Sequence, residues 1–245
     1  MAPDLGDALV PLNWADAQIA VFRERLGAWQ RTRPYELVME RNPNAPEIQF
    51  LAAYQKKPID PLLVGDTRAI INSIGAALDI LWMLILRRHD VEPGRDSSFP
   101  VKRSVADFEA AADVLKRKYG CTDEELAAVK RSKAYKGGDD FLYPLHQLDS
   151  QPWHYRLLLT KPTVDAGLIG RTEGAFLYPT PLTGQHKSIL AGIPSRARFR
   201  PTYSNVALAS EVFLDEPAFL KPDMPAALVL DRASRTVRAI VEKFP

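Results

Sequence analysis

The chain has 245 residues, and its 32 basic and 30 acidic side chains nearly cancel. A global electrostatic field that attracts nucleic acid or a membrane surface is therefore excluded, although local patches are not. The single cysteine, Cys121, excludes an internal disulfide and fits a reducing compartment. The first residues lack the basic-then-apolar order of a signal peptide, so we expect a cytoplasmic protein.

The first elements in the chain are a helix and a hairpin. Asn13 is a suitable cap for a helix that begins at Trp14, where apolar residues recur at spacings of three and four. After this helix the apolar period changes to two over Tyr35–Glu40. The turn-forming residues Asn42–Pro46 follow, and Glu47–Gln55 is typical of a returning strand.

A long apolar helix is predicted next. Asp60 and Pro61 are a strong helix start, and the helix should run to about Arg88 through the apolar segment Ala69–Leu86. As a membrane span this segment would place Asp79 near the middle of the bilayer, at a cost of about 2.5–3.5 kcal/mol. We therefore expect the central helix of a soluble, helix-rich core, with no membrane partner.

The remaining elements combine two helices with a β-rich end. Ser104 and Thr122 are followed three residues later by acidic side chains, which predicts two capped helices, the first ending near Gly120. Residues 141–159 are predicted to be helical, with an interruption or a new cap at Pro152. Prolines then separate short segments that favour strands, such as 188–193 and 206–214. A last helix is predicted over 231–244.

This order of elements predicts an α+β fold. A helical core surrounds the long apolar central helix and carries the N-terminal β-hairpin, and a β-rich C-terminal part with a closing helix follows. We place the boundary at residue 160, with 1–160 as the core and hairpin and 161–245 as the β-rich segment and helix, packed on the core as one compact unit.

The first candidate site lies on the central helix. Residues four, seven and eleven apart stack along one helical face, and this spacing joins the polar or small residues Arg68, Asn72, Gly75 and Asp79. This line is a candidate pocket floor, with Asp79 as a base or a ligand anchor. The alternative is that Asp79 pairs with a basic group of a neighbouring helix and only orders the core.

The second candidate is the polar cluster over residues 145–156. His146 and Asp149 are three apart and share a helical face, and His154 and Arg156 follow. A histidine beside a carboxylate can perform general acid–base chemistry near neutral pH. The alternative is a polar helix end. Two histidines eight residues apart without a further ligand motif are too weak a signal for zinc, so neither a metal site nor a cofactor is predicted.

The third candidate is a basic strand. Alternation would place Arg196, Arg198 and Arg200 on one face, where they can bind phosphate or a carboxylate-rich partner, unless they form a solvated face. The sequence contains no glycine-rich phosphate loop, no Gly-x-Ser-x-Gly elbow and no His-Glu-x-x-His. Asp79, Asp149 and His154 therefore become the catalytic candidates by default.

Four stretches in order resemble an uncharacterised family of bacterial proteins over residues 14–160. They are Pro34–Arg41, Val64–Asp66 with Ser73–Leu81, Phe99–Val101, and Leu148–Asp149 with Pro152–Tyr155. In the family the second stretch carries an arginine and, five residues on, a histidine, which is similar to HEPN-type RNA-binding and RNA-cleaving domains. Gly75 and Ile80 occupy those positions here. The family's later Asp-Lys-His-Arg string keeps only its histidine, as His154.

Because both HEPN-like positions are replaced, we expect a binding or interaction protein without turnover. Asp79 would lie in a polar network, and a neighbouring groove would be lined by His146, Asp149, His154 and Arg156. The alternative is a HEPN-like RNA-binding or RNA-cleaving protein of a defence or toxin–antitoxin type. Asp79 or Asp149 would then orient His154 as the base, and the arginine strand would hold phosphates. The second alternative is a structural subunit that forms a homodimer. The expected partner is thus RNA or another protein.

Overall fold

The computed structural model describes residues 4–92, 94, 98–150, 158–164, 176–183, 187–195, 208–214 and 224–245. A 3-10 helix, Leu5–Leu9, precedes the helices α1 (Val10–Arg31), α2 (Pro61–Arg88), α3 (Val105–Tyr119), α4 (Asp123–Arg131), α5 (Leu142–Ser150) and α6 (Ala226–Glu242). The strands are β1 (Tyr35–Arg41), β2 (Ile48–Gln55), β3 (Leu158–Val164), β4 (Phe176–Thr183), β5 (Lys187–Pro194) and β6 (Leu208–Leu214). The predicted α+β fold, with its hairpin, later strands and closing helix, is confirmed.

The central helix α2 has the predicted bounds and supplies much of the core. Ile70, Ile74 and Leu81 are completely buried, and further apolar side chains of the helix join them. By length and composition α2 is long and apolar enough to cross a membrane, but 56% of its most apolar window is buried inside the protein. This burial is compatible with a soluble protein, since the hydrophobic surface already has an apolar environment.

Local hydrogen bonds define the ends of α3 and α4 where the sequence predicted them. Ser104 accepts the backbone N–H of Asp107. After the last helical residue, Tyr119, α3 is closed by Gly120, whose φ of 71° lies in the left-handed region that favours glycine. Thr122 and Glu125 then form a reciprocal capping box at the start of α4. The predicted caps of α3 and α4 are therefore confirmed.

The strands form two sheets. The four-stranded sheet has the order β1-β2-β5-β4, with antiparallel neighbours, and β3 pairs with β6. The strand β4 was not predicted, because Pro179 and Pro181 were interpreted as residues that separate elements rather than as part of a strand. It lies at the edge of the sheet, where proline is tolerated, and its pairing with β5 is irregular between Leu177 and Leu182, the interval that holds both prolines.

Several predicted boundaries are corrected by the structure. The helix α1 begins at Val10 rather than at Trp14, after a 3-10 turn capped by Asp4. The helix α6 begins at Ala226 rather than at residue 231. The helical prediction over 141–159 extends too far, since α5 ends at Ser150 and Leu158 already belongs to strand β3; the interruption predicted at Pro152 lies outside the described residues. Helical spacing alone did not mark these ends.

Contacts divide the chain into two compact units that do not follow the predicted boundary at residue 160. The helical unit comprises 1–23, 62–157 and 214–245, and the sheet unit comprises 24–61 and 158–213. The hairpin joins the later strands because β2 pairs with β5 along most of its length. The closing helix α6 joins the helical unit, where Ser234 and Arg238 hydrogen-bond to Asp16 of α1 at 2.5 and 2.7 Å.

Candidate functional site

A small cavity in the helical unit contains three of the predicted candidate residues. It lies between α2, α5 and the segment that precedes α3, and its volume is about 100 Å³. At about 30 Å³ for each molecule in the liquid, this is room for about three waters. The cavity is lined by Gly75, Leu78, Asp79, Ser98, Phe99, Val101, Leu142, Leu145, His146 and Asp149. Acidic and apolar groups therefore share one small space.

The carboxylate of Asp79 is half-buried on α2 and bonded to the main chain. Its Oδ1 accepts the backbone N–H of Phe99 at 3.0 Å. The buried ring of Phe99 packs edge-on against Trp82, with ring centroids 6.4 Å apart, which fixes the segment that carries this N–H. Among the described residues, the hydrogen-bond donor to Asp79 is thus a main-chain group rather than the basic side chain anticipated as the alternative.

Burial raises the pKa of Asp79 above its ordinary value, because a half-dry environment disfavours the ionised carboxyl group. The hydrogen bond from Phe99 and the nearby His146 act in the opposite direction and only partly offset this effect. Asp79 is therefore more readily protonated than a carboxyl group in water.

The second carboxylate, Asp149, approaches α2 where that helix has no side chain. A Cβ atom on Gly75 would lie 3.1 Å from Asp149 Oδ2, so the absence of this atom permits the approach. The side-chain amide of Asn72 is oriented so that its nitrogen faces two acceptors. It donates to Asp149 Oδ1 at 2.7 Å and to the Arg68 carbonyl at 3.1 Å. The polar line predicted on α2 therefore faces α5.

The two carboxylates influence each other. Burial raises the pKa of Asp149, and the neighbouring charge of Asp79 raises it further, while His146 and Arg68 lower it. Two like charges in a half-dry site disfavour simultaneous ionisation. His146, three residues before Asp149 on α5, is exposed and is the cavity's one imidazole among the described lining residues.

The structure thus brings together three of the predicted site residues: Asp79, His146 and Asp149. The other candidates, His154, Arg156, Arg196, Arg198 and Arg200, lie outside the described residues. The RNA-cleaving alternative requires Asp79 or Asp149 to lie beside His154, and this requirement stays a prediction.

Sequence reasoning did not identify the third wall of the cavity, which Ser98, Phe99 and Val101 form. A backbone N–H has no residue-type signature, so the bond from Phe99 to Asp79 was not predictable from composition or spacing. A buried aromatic residue in front of a proline, as in Phe99-Pro100, was the available signal of a fixed, extended segment.

Comparison of the chain with known protein families, with curated proteins and with solved structures found no match. The function is therefore argued from the cavity.

Proposed function

We propose that this chain is a binding protein without turnover that receives one cationic group, an ammonium or a guanidinium, in the cavity between Asp79 and Asp149. The observation that carries the proposal is the presence of two half-buried carboxylates in one small cavity. Each carboxylate is costly to ionise there because water is partly excluded, and at Asp149 the nearby charge of Asp79 adds to this cost. A bound cation would relieve both effects and gain charge-assisted hydrogen bonds.

The size and the lining of the cavity limit the ligand. About 100 Å³ admits a cationic head group and little more, so the rest of the ligand must remain outside. The apolar side chains of Leu78, Phe99 and Leu142 provide a surface for the alkyl stem that precedes an amine or a guanidine. The end of a basic side chain of a protein partner, or of an alkylamine, has this form.

The test is a titration of the full-length protein with methylguanidinium and methylammonium, followed by amide chemical shifts. We expect shifts that concentrate at Gly75, Asp79, Phe99 and Asp149, and no such shifts with acetate. Asp149→Asn should weaken binding about tenfold or more, since a hydrogen bond to a charged group contributes about 1.5–3 kcal/mol. The matched control is Asp140→Asn, because Asp140 is exposed and lies outside the cavity lining.

Two results would overturn the proposal. One is an affinity for the cations that Asp149→Asn leaves unchanged. The other is that acetate or inorganic phosphate, rather than a cation, shifts the cavity residues.

A second candidate function is acid–base catalysis, which includes the HEPN-like cleavage of RNA. It is supported by the exposed imidazole of His146 beside carboxyl groups whose pKa values are raised. Two carboxylates and one imidazole form an unfavourable electrostatic environment for the phosphates of RNA. We therefore rank RNA cleavage below cation binding. Metal-independent RNA cleavage that is lost in His146→Ala, together with salt-dependent RNA binding, would favour the enzyme.

A further inference from the structure

A second group of potential ligands lies in the helical unit, outside the cavity. The ligand atoms of His89, Cys121 and Glu125 all lie within 4.8 Å of one another. His89 follows the end of α2, Cys121 lies in the α3–α4 connection, and Glu125 is in the first turn of α4. Three separate elements therefore converge on one point.

Two of the three side chains, Cys121 and Glu125, are held in place by the local backbone. Gly120 reverses the chain after α3, and the N–H of Cys121 then donates to the Leu115 carbonyl at 3.4 Å, which turns the cysteine towards the interior. The capping box fixes Glu125, whose Oε2 accepts the Thr122 N–H at 2.9 Å. Cys121 and Glu125 are buried, and the side chain of His89 is 18% exposed.

We propose that His89, Cys121 and Glu125 form a binding site for a divalent transition-metal ion of the zinc type. Imidazole, thiolate and carboxylate are the ligands that zinc takes in proteins, at about 2.0–2.3 Å. Two ligands of one such ion are therefore at most about 4.6 Å apart, and the three ligand atoms here all lie within 4.8 Å of one another. The ion takes its fourth ligand from water.

The charges of the cluster balance those of the ion. The thiolate and the carboxylate supply two negative charges, and the histidine binds in its neutral form. Formation of the metal–sulfur bond releases the thiol proton to the buffer, so one proton leaves for each ion bound at Cys121. The hydrogen bond between His89 Nε2 and Glu125 Oε2, now 2.6 Å, must open to about 3.3 Å to admit a tetrahedral ion.

One cation already faces the cluster. Nη1 of Arg88 lies 3.8 Å from Glu125 Oε1 and donates to the Pro245 carbonyl at 2.6 Å. Arg88 therefore contacts Oε1 of Glu125, whereas Oε2 faces His89 and remains directed at the cluster. The metal-free alternative is a buried His–Glu hydrogen bond beside an inert thiol.

The sequence analysis predicted no metal site, and this inference departs from that prediction. The three residues are separated by 32 and 4 positions, and no short ligand motif joins them. Only the packing of α2 against the α3–α4 connection brings them together.

The experiment is a titration of the untagged, chelator-treated full chain with Co²⁺, which reports thiolate ligation and tetrahedral geometry in its absorption spectrum. We expect saturation at one ion per chain, a sulfur-to-cobalt charge-transfer band, and displacement of cobalt by Zn²⁺. Cys121→Ser should abolish the charge-transfer band. Glu125→Gln should weaken binding at least tenfold, while the glutamine keeps the capping box intact and the helix folded.

The matched control is Glu124→Gln, the same change at an exposed neighbour, which should bind cobalt as the unaltered protein does. A folded protein that gives no charge-transfer band would overturn the site, as would a cobalt spectrum that Glu125→Gln leaves unaltered in both affinity and shape. The cavity proposal does not depend on this result.

Discussion

Asp79 provides the Phe99 N–H with a hydrogen-bond acceptor and also carries a negative charge, and two variants of Asp79 can separate these properties. Asp79→Asn keeps an acceptor oxygen and removes the charge, whereas Asp79→Ala removes both. The alanine variant leaves the N–H of Phe99 without its 3.0 Å partner in a part-buried position. Loss of such a partner costs about 2 kcal/mol, which corresponds to a fall in Tm of about 4–8 °C for a chain of this size.

Thermal and urea unfolding at two pH values test this reasoning. Because burial raises the pKa of Asp79, its contribution to stability is fully present below the ordinary value of 3.8 and is lost as the pH rises through the raised value. At pH 7 Asp79→Asn should therefore be at least as stable as the unaltered protein, and at pH 3 this advantage should vanish. Equal losses of Tm in the asparagine and alanine variants at pH 7 would refute the reasoning, because the charge itself would then be required.

Three further predictions concern the α3–α4 connection. Thr122→Ala removes the side-chain half of the capping box and should lower the free energy of unfolding by about 1 kcal/mol, and an unchanged urea midpoint would contradict the assigned cap. Gly120→Ala should lower the free energy of unfolding by about 1 kcal/mol or more, because the φ of Gly120 is positive. The control Gly65→Ala, in open space on α2, should not lower it, and urea unfolding of the two variants tests the difference. Burial raises the pKa of Cys121 to about 11, with Glu125 adding to the effect, so that at pH 8 about one thiol in a thousand is ionised. A thiol-reactive disulfide reagent should therefore label metal-free protein only after denaturation, and fast labelling of the folded chain would be the contrary result.

Features set by local chemistry could be predicted from the sequence. The start of α2 at Pro61, the cap at Ser104, the left-handed Gly120 and the capping box at Thr122 each depend on residues within a few positions of one another. Such interactions form whatever the rest of the chain does, which is why spacing alone identified them.

Features set by distant pairing could not be predicted. The strand β4 contains two prolines, which lack the backbone N–H groups that a central strand needs. It can form because it lies at the edge of the sheet beside β5, and this position depends on the order of strands rather than on local sequence. For the same reason the hairpin's place beside β5 was not foreseen. The pairing of β2 with β5 joins residues more than a hundred positions apart.

The candidate site shows both cases. The helical line through Asn72, Gly75 and Asp79 and the shared face of His146 and Asp149 followed from spacing. That these two faces meet, with Asp149 seated where Gly75 lacks a Cβ atom, depends on how α2 and α5 pack. The metal-ligand cluster at Cys121 depends in the same way on tertiary packing.

The most direct test of the central claim is the titration of the Asp79 and Asp149 side-chain carboxyl carbons by NMR, with and without saturating methylguanidinium. We predict that both pKa values lie above the ordinary 3.8 in the free protein, and that both fall when the cation binds, because it stabilises the ionised forms. Titration curves that the cation leaves unmoved would show that the two carboxylates do not form its site, and would contradict the account.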